Sequence, residues 1–127
     1  MGTNADVIRE GWEAFGRGDI DAAVAAADDS AEIVVPESLP WGGTYRGPEG
    51  FKQMIGSFMS HLEEFRPEPQ GFLEADDRVT VPVEGSARTK SGNDLPVRAV
   101  WLYQLRDGKI VRADFYGDTA ATLEAIG

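Results

Sequence analysis

Apolar positions follow two periods along this chain, helical in the first half and alternating in the second. Val7, Ile8, Trp12 and Phe15 recur at helical spacing and predict a first helix over 4–17, capped by Asn4. Gly16 and Gly18 end it, and Asp19 can cap a second, Ala-rich helix over 20–28. A short strand is read over 31–35, followed by a Pro- and Gly-rich loop over 36–47 that also carries Trp41 and Tyr45. Pro48 suits the first turn of a third helix running to about residue 64. Its stripe is Phe51, Met54, Ile55, Phe58, Met59, Leu62 and Phe65. Strands follow near Phe72, over 78–88 and over 95–105. Val79, Val81 and Val83 alternate, with Pro82 on the opposite face marking an edge or a bulge. Another strand, over 110–116, follows an Asp107-Gly108 turn, and Asp118 caps a last helix ending near residue 126.

Helices set apart from a run of antiparallel strands predict an α+β domain spanning 1–127. The expected architecture is a cone-shaped curved antiparallel sheet wrapped around the long third helix. An N-terminal helical hairpin and a short C-terminal helix complete it. Two registers are open for the last hairpin. A three-residue loop, Arg106-Asp107-Gly108, pairs Leu105 with Lys109 and sets Trp101 opposite Ala113. One face then carries Ala99, Trp101, Tyr103, Val111, Ala113 and Phe115, and the other Arg98, Val100, Leu102, Arg112, Asp114 and Tyr116. A two-residue turn sets Trp101 opposite Asp114 and exchanges the faces. The first is preferred because it groups aromatics with aromatics and charges with charges.

Composition narrows the function. The formal charge is −10, from 22 acidic and 12 basic residues, which argues against a nucleic-acid partner. No apolar run reaches the roughly 20 residues of a membrane helix. The opening Met-Gly-Thr-Asn-Ala-Asp has neither a basic nor an apolar leader region, so no secretory signal is expected. With no cysteine and one histidine, thiolate chemistry and a zinc site are not expected. A cytoplasmic protein that uses no metal or other cofactor is the expectation.

Three segments carry a resemblance. They are Ala14-Phe15-Gly16-Arg17-Gly18-Asp19-Ile20-Asp21, Gly43-Thr44-Tyr45-Arg46-Gly47-Pro48-Glu49-Gly50, and Arg106-Asp107-Gly108-Lys109-Ile110-Val111 with Asp118-Thr119. In this order and spacing the chain resembles the SnoaL-like, ketosteroid-isomerase-like superfamily with the nuclear transport factor 2 fold. That resemblance implies the cone fold, and a cofactor-free isomerase, cyclase or hydrolase on an apolar polycyclic or carbonyl compound, or a non-catalytic binding module. It also implies pairing of two chains through the convex face of the sheet, where Val100, Leu102 and Tyr116 would suit a homodimer. The family's acid/base positions are altered here. The His and Asp of its polyketide cyclases align with Trp101 and Phe115, and the general-base Asp of its steroid isomerases aligns with Val35. The Arg-x-Asp of its epoxide hydrolases is replaced by Arg98-Ala99-Val100.

What remains is an aromatic pocket for a small apolar molecule, with Trp12, Phe15, Trp41, Phe58, Trp101, Tyr103 and Phe115 as its candidate lining. Each of these would equally serve as ordinary core. Four residues could carry acid/base or hydrogen-bonding chemistry. Glu37 lies at the expected rim, where apolar neighbours would raise its pKa. His61 shares the stripe of the third helix. Asp114 would reach the pocket in the two-residue register and otherwise would pair with Arg98 or Arg112 across strands. Tyr45, like Tyr103, could donate to an enolate oxygen.

Overall fold

The computed structural model describes residues 3–127. Met1 and Gly2, part of the stretch read as leaderless, lie outside the described residues. Elements run α1 (Asn4–Gly16), α2 (Ile20–Val24), β1 (Ala27–Val35), β2 (Gly43–Arg46), α3 (Gly47–Met59), β3 (Leu62–Pro69), β4 (Leu73–Ala75), β5 (Arg78–Thr89), β6 (Asp94–Arg106), β7 (Lys109–Gly117) and α4 (Thr119–Ile126). The sheet order is β2-β1-β7-β6-β5-β3, with β4 also paired to β5. It is a curved, unclosed sheet with the helices on its concave side, the α+β architecture expected. The pairing is antiparallel except between β1 and β7, which run parallel. That parallel pair corrects the all-antiparallel expectation.

Several boundaries differ, each for a physical reason. Thr3, not Asn4, caps α1: its side chain accepts from Asp6 N while Asp6 accepts from Thr3 N, a reciprocal capping box. The Ala-rich second helix stops at Val24, because Ala27 is already paired with Ile110 in the sheet. Alanine is a good helix former, but a strand partner outweighs that small preference. Within the predicted loop, residues 43–46 form β2 and pair with β1. The third helix ends at Met59, so Leu62 and Phe65 belong to β3 and His61 lies in the turn between them. A bulge at Glu63 leaves Glu63 and Glu64 both exposed and sets buried Leu62 and half-buried Phe65 three apart, a spacing that also fits a helical period.

The last hairpin combines features of both expected registers. The turn is two-residue: Asp107 and Gly108 have φ of 53° and 75°, and Arg106 pairs with Lys109. Both central residues at positive φ suit the right-handed twist of the strands. A bulge then intervenes, since Leu105 opposes Ile110 but Gln104 opposes Arg112. Val111 is the extra residue. The slip restores the alternation, so Trp101 faces Phe115 and Tyr103 faces Ala113 on the inner side. The predicted inner grouping of Trp101, Tyr103 and Phe115 holds, while the three-residue loop, the Trp101–Ala113 pairing and the inward Val111 are corrected.

Val79, Val81 and Val83 are 0 %, 0 % and 3 % exposed on the inner face of β5, and each contributes about 1.5–3 kcal/mol by burial. Pro82 is tolerated inside a paired strand because its outer neighbours change there. β3 pairs with β5 from Val83 onward, β4 pairs up to Thr80, and the Pro82 carbonyl accepts from Gln70 N across the gap. Its missing N–H therefore breaks no ladder. The C-terminal helix is held by polar contacts. Thr89 Oγ1, Ser91 Oγ and Asn93 Nδ2 converge on the Ala125 carbonyl at 3.0, 2.9 and 2.9 Å, and Thr89 is fully buried. At its other end, Asp118 accepts from Ala121 N at 2.9 Å.

Candidate functional site

The concave side of the sheet and α1, α3 and α4 enclose a cavity of about 360 Å³. It runs along β6, from Leu95–Ala99 beside Ala121 and Thr122 of α4 to Tyr103 beside Ala23, Ala26 and Ile110. Two aromatic walls face it. On the strand side, Trp101 stacks on Tyr103 at 5.9 Å and 19°, and meets Phe115 edge-on at 5.3 Å. On the helix side, Trp12, Phe15, Phe65, Phe58 and Trp41 form a chain of edge-to-face contacts.

Local structure explains why these rings are presented. Trp12 follows Gly11, whose position leaves a Cβ only 3.1 Å from the Ala23 carbonyl. A small residue there lets α1 lie close to α2 and swings Trp12 over the cavity. Trp41 is 4 % exposed, in a loop pinned by the Tyr45 hydroxyl, which donates to the Trp41 carbonyl at 2.7 Å. At the α4 end, Ala99 opposes Gly117, and a Cβ on Gly117 would stand 2.8 Å from the Phe115 ring. Gly117 thereby makes room for the Phe115 ring, and both small residues border the cavity at that end.

All seven residues proposed as lining, Trp12, Phe15, Trp41, Phe58, Trp101, Tyr103 and Phe115, border the cavity. The four proposed for chemistry do not. Glu37 is exposed in the loop before β2. Tyr45 spends its hydroxyl on Trp41. His61 packs its ring 5.2 Å from Trp41, with Nδ1 3.0 Å from the Ser57 carbonyl. Asp114 accepts two hydrogen bonds from Arg112, at 2.9 Å each. The partner is one of the two anticipated, but it lies along the same strand rather than across. Asp114 holds the Arg112 guanidinium above its ordinary pKa, chiefly through those hydrogen bonds. Sequence reasoning missed Gly11, Gly117, Ala121 and Thr122, which shape the cavity by being small and carry no hydrophobic signal.

Polar groups at the cavity are few. Burial raises the Tyr103 phenol well above the ordinary value of 10.0, and the Trp12 indole beside it opposes that shift. The two fall short of hydrogen-bond geometry: Trp12 Nε1 is buried and has no acceptor among the described residues. The charged lining residues are Arg98 and Asp118. Arg98 is exposed and opposes Glu84 on the outward register of β6, and Asp118 is engaged in capping α4. No group of three or more metal-ligating side chains occurs among the described residues, nor any helix long and apolar enough to cross a membrane.

This cone, with an aromatic cavity between the sheet and its helices, defines a class. Residues 8–113 match the SnoaL-like domain family, and the chain belongs to it. It is similar to an NTF2-like protein of unknown function from Burkholderia pseudomallei, with 26% identity over 99% of this chain and 98% of that one and a TM-score of 0.91. It is also similar to TerC, co-crystallised with polyporic acid, with 29% identity over 97% of each chain and a TM-score of 0.88. An NTF2-like protein from Burkholderia thailandensis shares the fold at 20% identity, over 100% of this chain and 99% of that one, with a TM-score of 0.92. No curated protein matches the chain.

Proposed function

We propose that this protein holds a small, largely apolar, polycyclic molecule in the cone cavity. The observation that carries the reading is the cavity of about 360 Å³ faced by two aromatic walls. Its size and apolar lining suit a drug-sized ligand. The similarity to TerC, which was crystallised with polyporic acid, supports it. So does the placement of Glu37, His61 and Asp114, none of which borders the cavity. A binding role is therefore favoured over the acid/base enzyme that Glu37 would have served.

A polarity-sensitive neutral naphthalene ketone, prodan, tests this. Its fluorescence is expected to saturate at one molecule per chain. Ala99→Leu, which puts a larger side chain on the inner face of β6, should weaken binding by about tenfold or more with the fold intact by circular dichroism. Glu37→Gln should leave the affinity unchanged. Absence of saturable binding, or binding indifferent to the filled cavity, would contradict the reading.

A second copy of the chain is the proposed partner. Leu102 and Tyr116 are 38 % and 55 % exposed on the outer face of β6 and β7, beside half-buried Val100, and such a patch favours association. Light scattering should give a dimer, and Leu102→Glu with Tyr116→Glu should give a monomer. A monomeric parent protein at high micromolar concentration would count against it.

A further inference from the structure

We infer that the open main-chain edge of β6 recognises the rim of the cavity's ligand. There the Arg98 N–H and the Pro96 carbonyl pair with an acceptor and a donor set side by side on a neutral ring, as in a cyclic amide. This rests on the ligand-cavity reading above and names the polar chemistry of the occupant. Strand β6 outruns β7. Their pairing stops at Ala99 and Gly117, so Asp94–Arg98 have a strand neighbour only in β5.

Alternation decides which groups this leaves open. In an antiparallel ladder the N–H and C=O of one residue point to one neighbour, and those of the next residue to the other. Leu105 N donates to the Asp77 carbonyl, on the β5 side. Odd-numbered residues of β6 therefore face β5, and even-numbered ones face β7. Two prolines agree. Pro82 opposes Val100 and Pro96 opposes Ser86, so neither missing N–H falls between β5 and β6, and the Pro82 carbonyl is turned away to Gln70. The Pro96 carbonyl and the Arg98 N–H and carbonyl thus point past the end of β7. Asp118 does not take them: its carbonyl accepts from Thr122 N and Oγ1, and its side chain from Ala121 N. Pro96 and Arg98 both border the cavity, yet their side chains alternate with inward Leu95, Val97 and Ala99. It is their main chain that meets the cavity. A ligand acceptor takes the Arg98 N–H and an adjacent donor gives to the Pro96 carbonyl, as a strand edge holds an added strand. A carboxylate would face two carbonyl oxygens there, which favours a neutral group.

The test uses 6(5H)-phenanthridinone, its N-methyl derivative and phenanthrene on the full ¹⁵N-labelled chain. Phenanthridinone should move the Arg98 main-chain amide resonance, assigned through-bond, downfield; phenanthrene should bind without that shift. By prodan displacement, N-methylation should weaken binding by about tenfold. Arg98→Pro removes an N–H that no strand uses, so the fold should survive by circular dichroism. That variant should bind phenanthridinone about tenfold more weakly and phenanthrene as before, and Arg98→Ala, which keeps the N–H, should bind both as the parent does. An unmoved resonance, an N-methyl derivative bound as tightly as the lactam, an equal loss in Arg98→Ala, or tighter binding of phenanthrene-9-carboxylate than of phenanthridinone would overturn the inference while leaving the cavity reading standing. Binding of none of the probes would overturn both. If Arg98→Pro fails to fold, the Arg98 resonance and the effect of N-methylation in the parent protein decide the matter.

Discussion

At the scale of single residues, the cavity depends on side chains that are present and on others that are missing. Tyr103 is 6 % exposed and its folded pKa lies above the unfolded value of 10.0. Its neutral form is therefore favoured by folding. The associated stability is complete below pH 10 and is lost above it, as unfolded tyrosine ionises while the native one does not. The slope should be about 1.4 kcal/mol per pH unit. Tyr103→Phe is expected to flatten this alkaline decline in urea titrations, and an unaltered decline would show that Tyr103 ionises freely in the native state. Asp6 and Asp28 behave in the opposite sense. Hydrogen bonds, led by Thr3 for Asp6 and Ser30 for Asp28, hold them below 3.8, so their contribution is present above pH 4 and disappears as the pH falls through the lower native values. The aromatic lining was legible in the sequence as spacing. The orphan Trp12 N–H was not, because an unsatisfied donor is a property of the assembled site.

Elements show where local pattern and tertiary pairing compete. Ala23–Ala27 reads as helix, yet its end is drawn into β1. His61, Leu62 and Phe65 continue a helical stripe, yet the turn takes His61 and β3 takes the other two. In the last hairpin the Asp107-Gly108 dipeptide announced the turn, but nothing local announced the bulge at Val111 that kept Trp101 and Phe115 together. Two elements invite measurement. Gly85 sits at φ 138°, where a Cβ would stand 2.1 Å from the Arg66 carbonyl. Gly85→Ala should therefore destabilise the β3–β5 pairing by about 3 kcal/mol or more in urea unfolding, and a loss under about 0.5 kcal/mol would refute that reading. Thr89→Val removes one of the three groups on the Ala125 carbonyl, at a cost of about 1–2 kcal/mol. Hydrogen exchange should speed first in α4, next to Ala121 and Thr122 at the cavity. Uniform acceleration across the sheet would instead mean that Thr89 supports the whole fold.

For the molecule as a whole, the helix order and the run of strands were enough to anticipate a sheet curved around a helix, with a cavity between. The parallel β1–β7 pair and the volume left inside were not legible. They depend on how far β1 reaches along β7 and on the small Ala99–Gly117 pair. The sheet turns one face to the cavity and the other, with Leu102 and Tyr116, to the outside, so an apolar probe has two surfaces to choose between. The inner one is the proposed ligand surface. The most direct check is an NMR structure-quality set of intermolecular NOEs between fluorene and the ¹³C-labelled protein. Contacts are expected from fluorene protons to the methyl groups of Ile8, Ile55 and Val83, all of which border the cavity. Contacts to Leu102 on the outer face instead, or no bound state at all, would contradict that proposal.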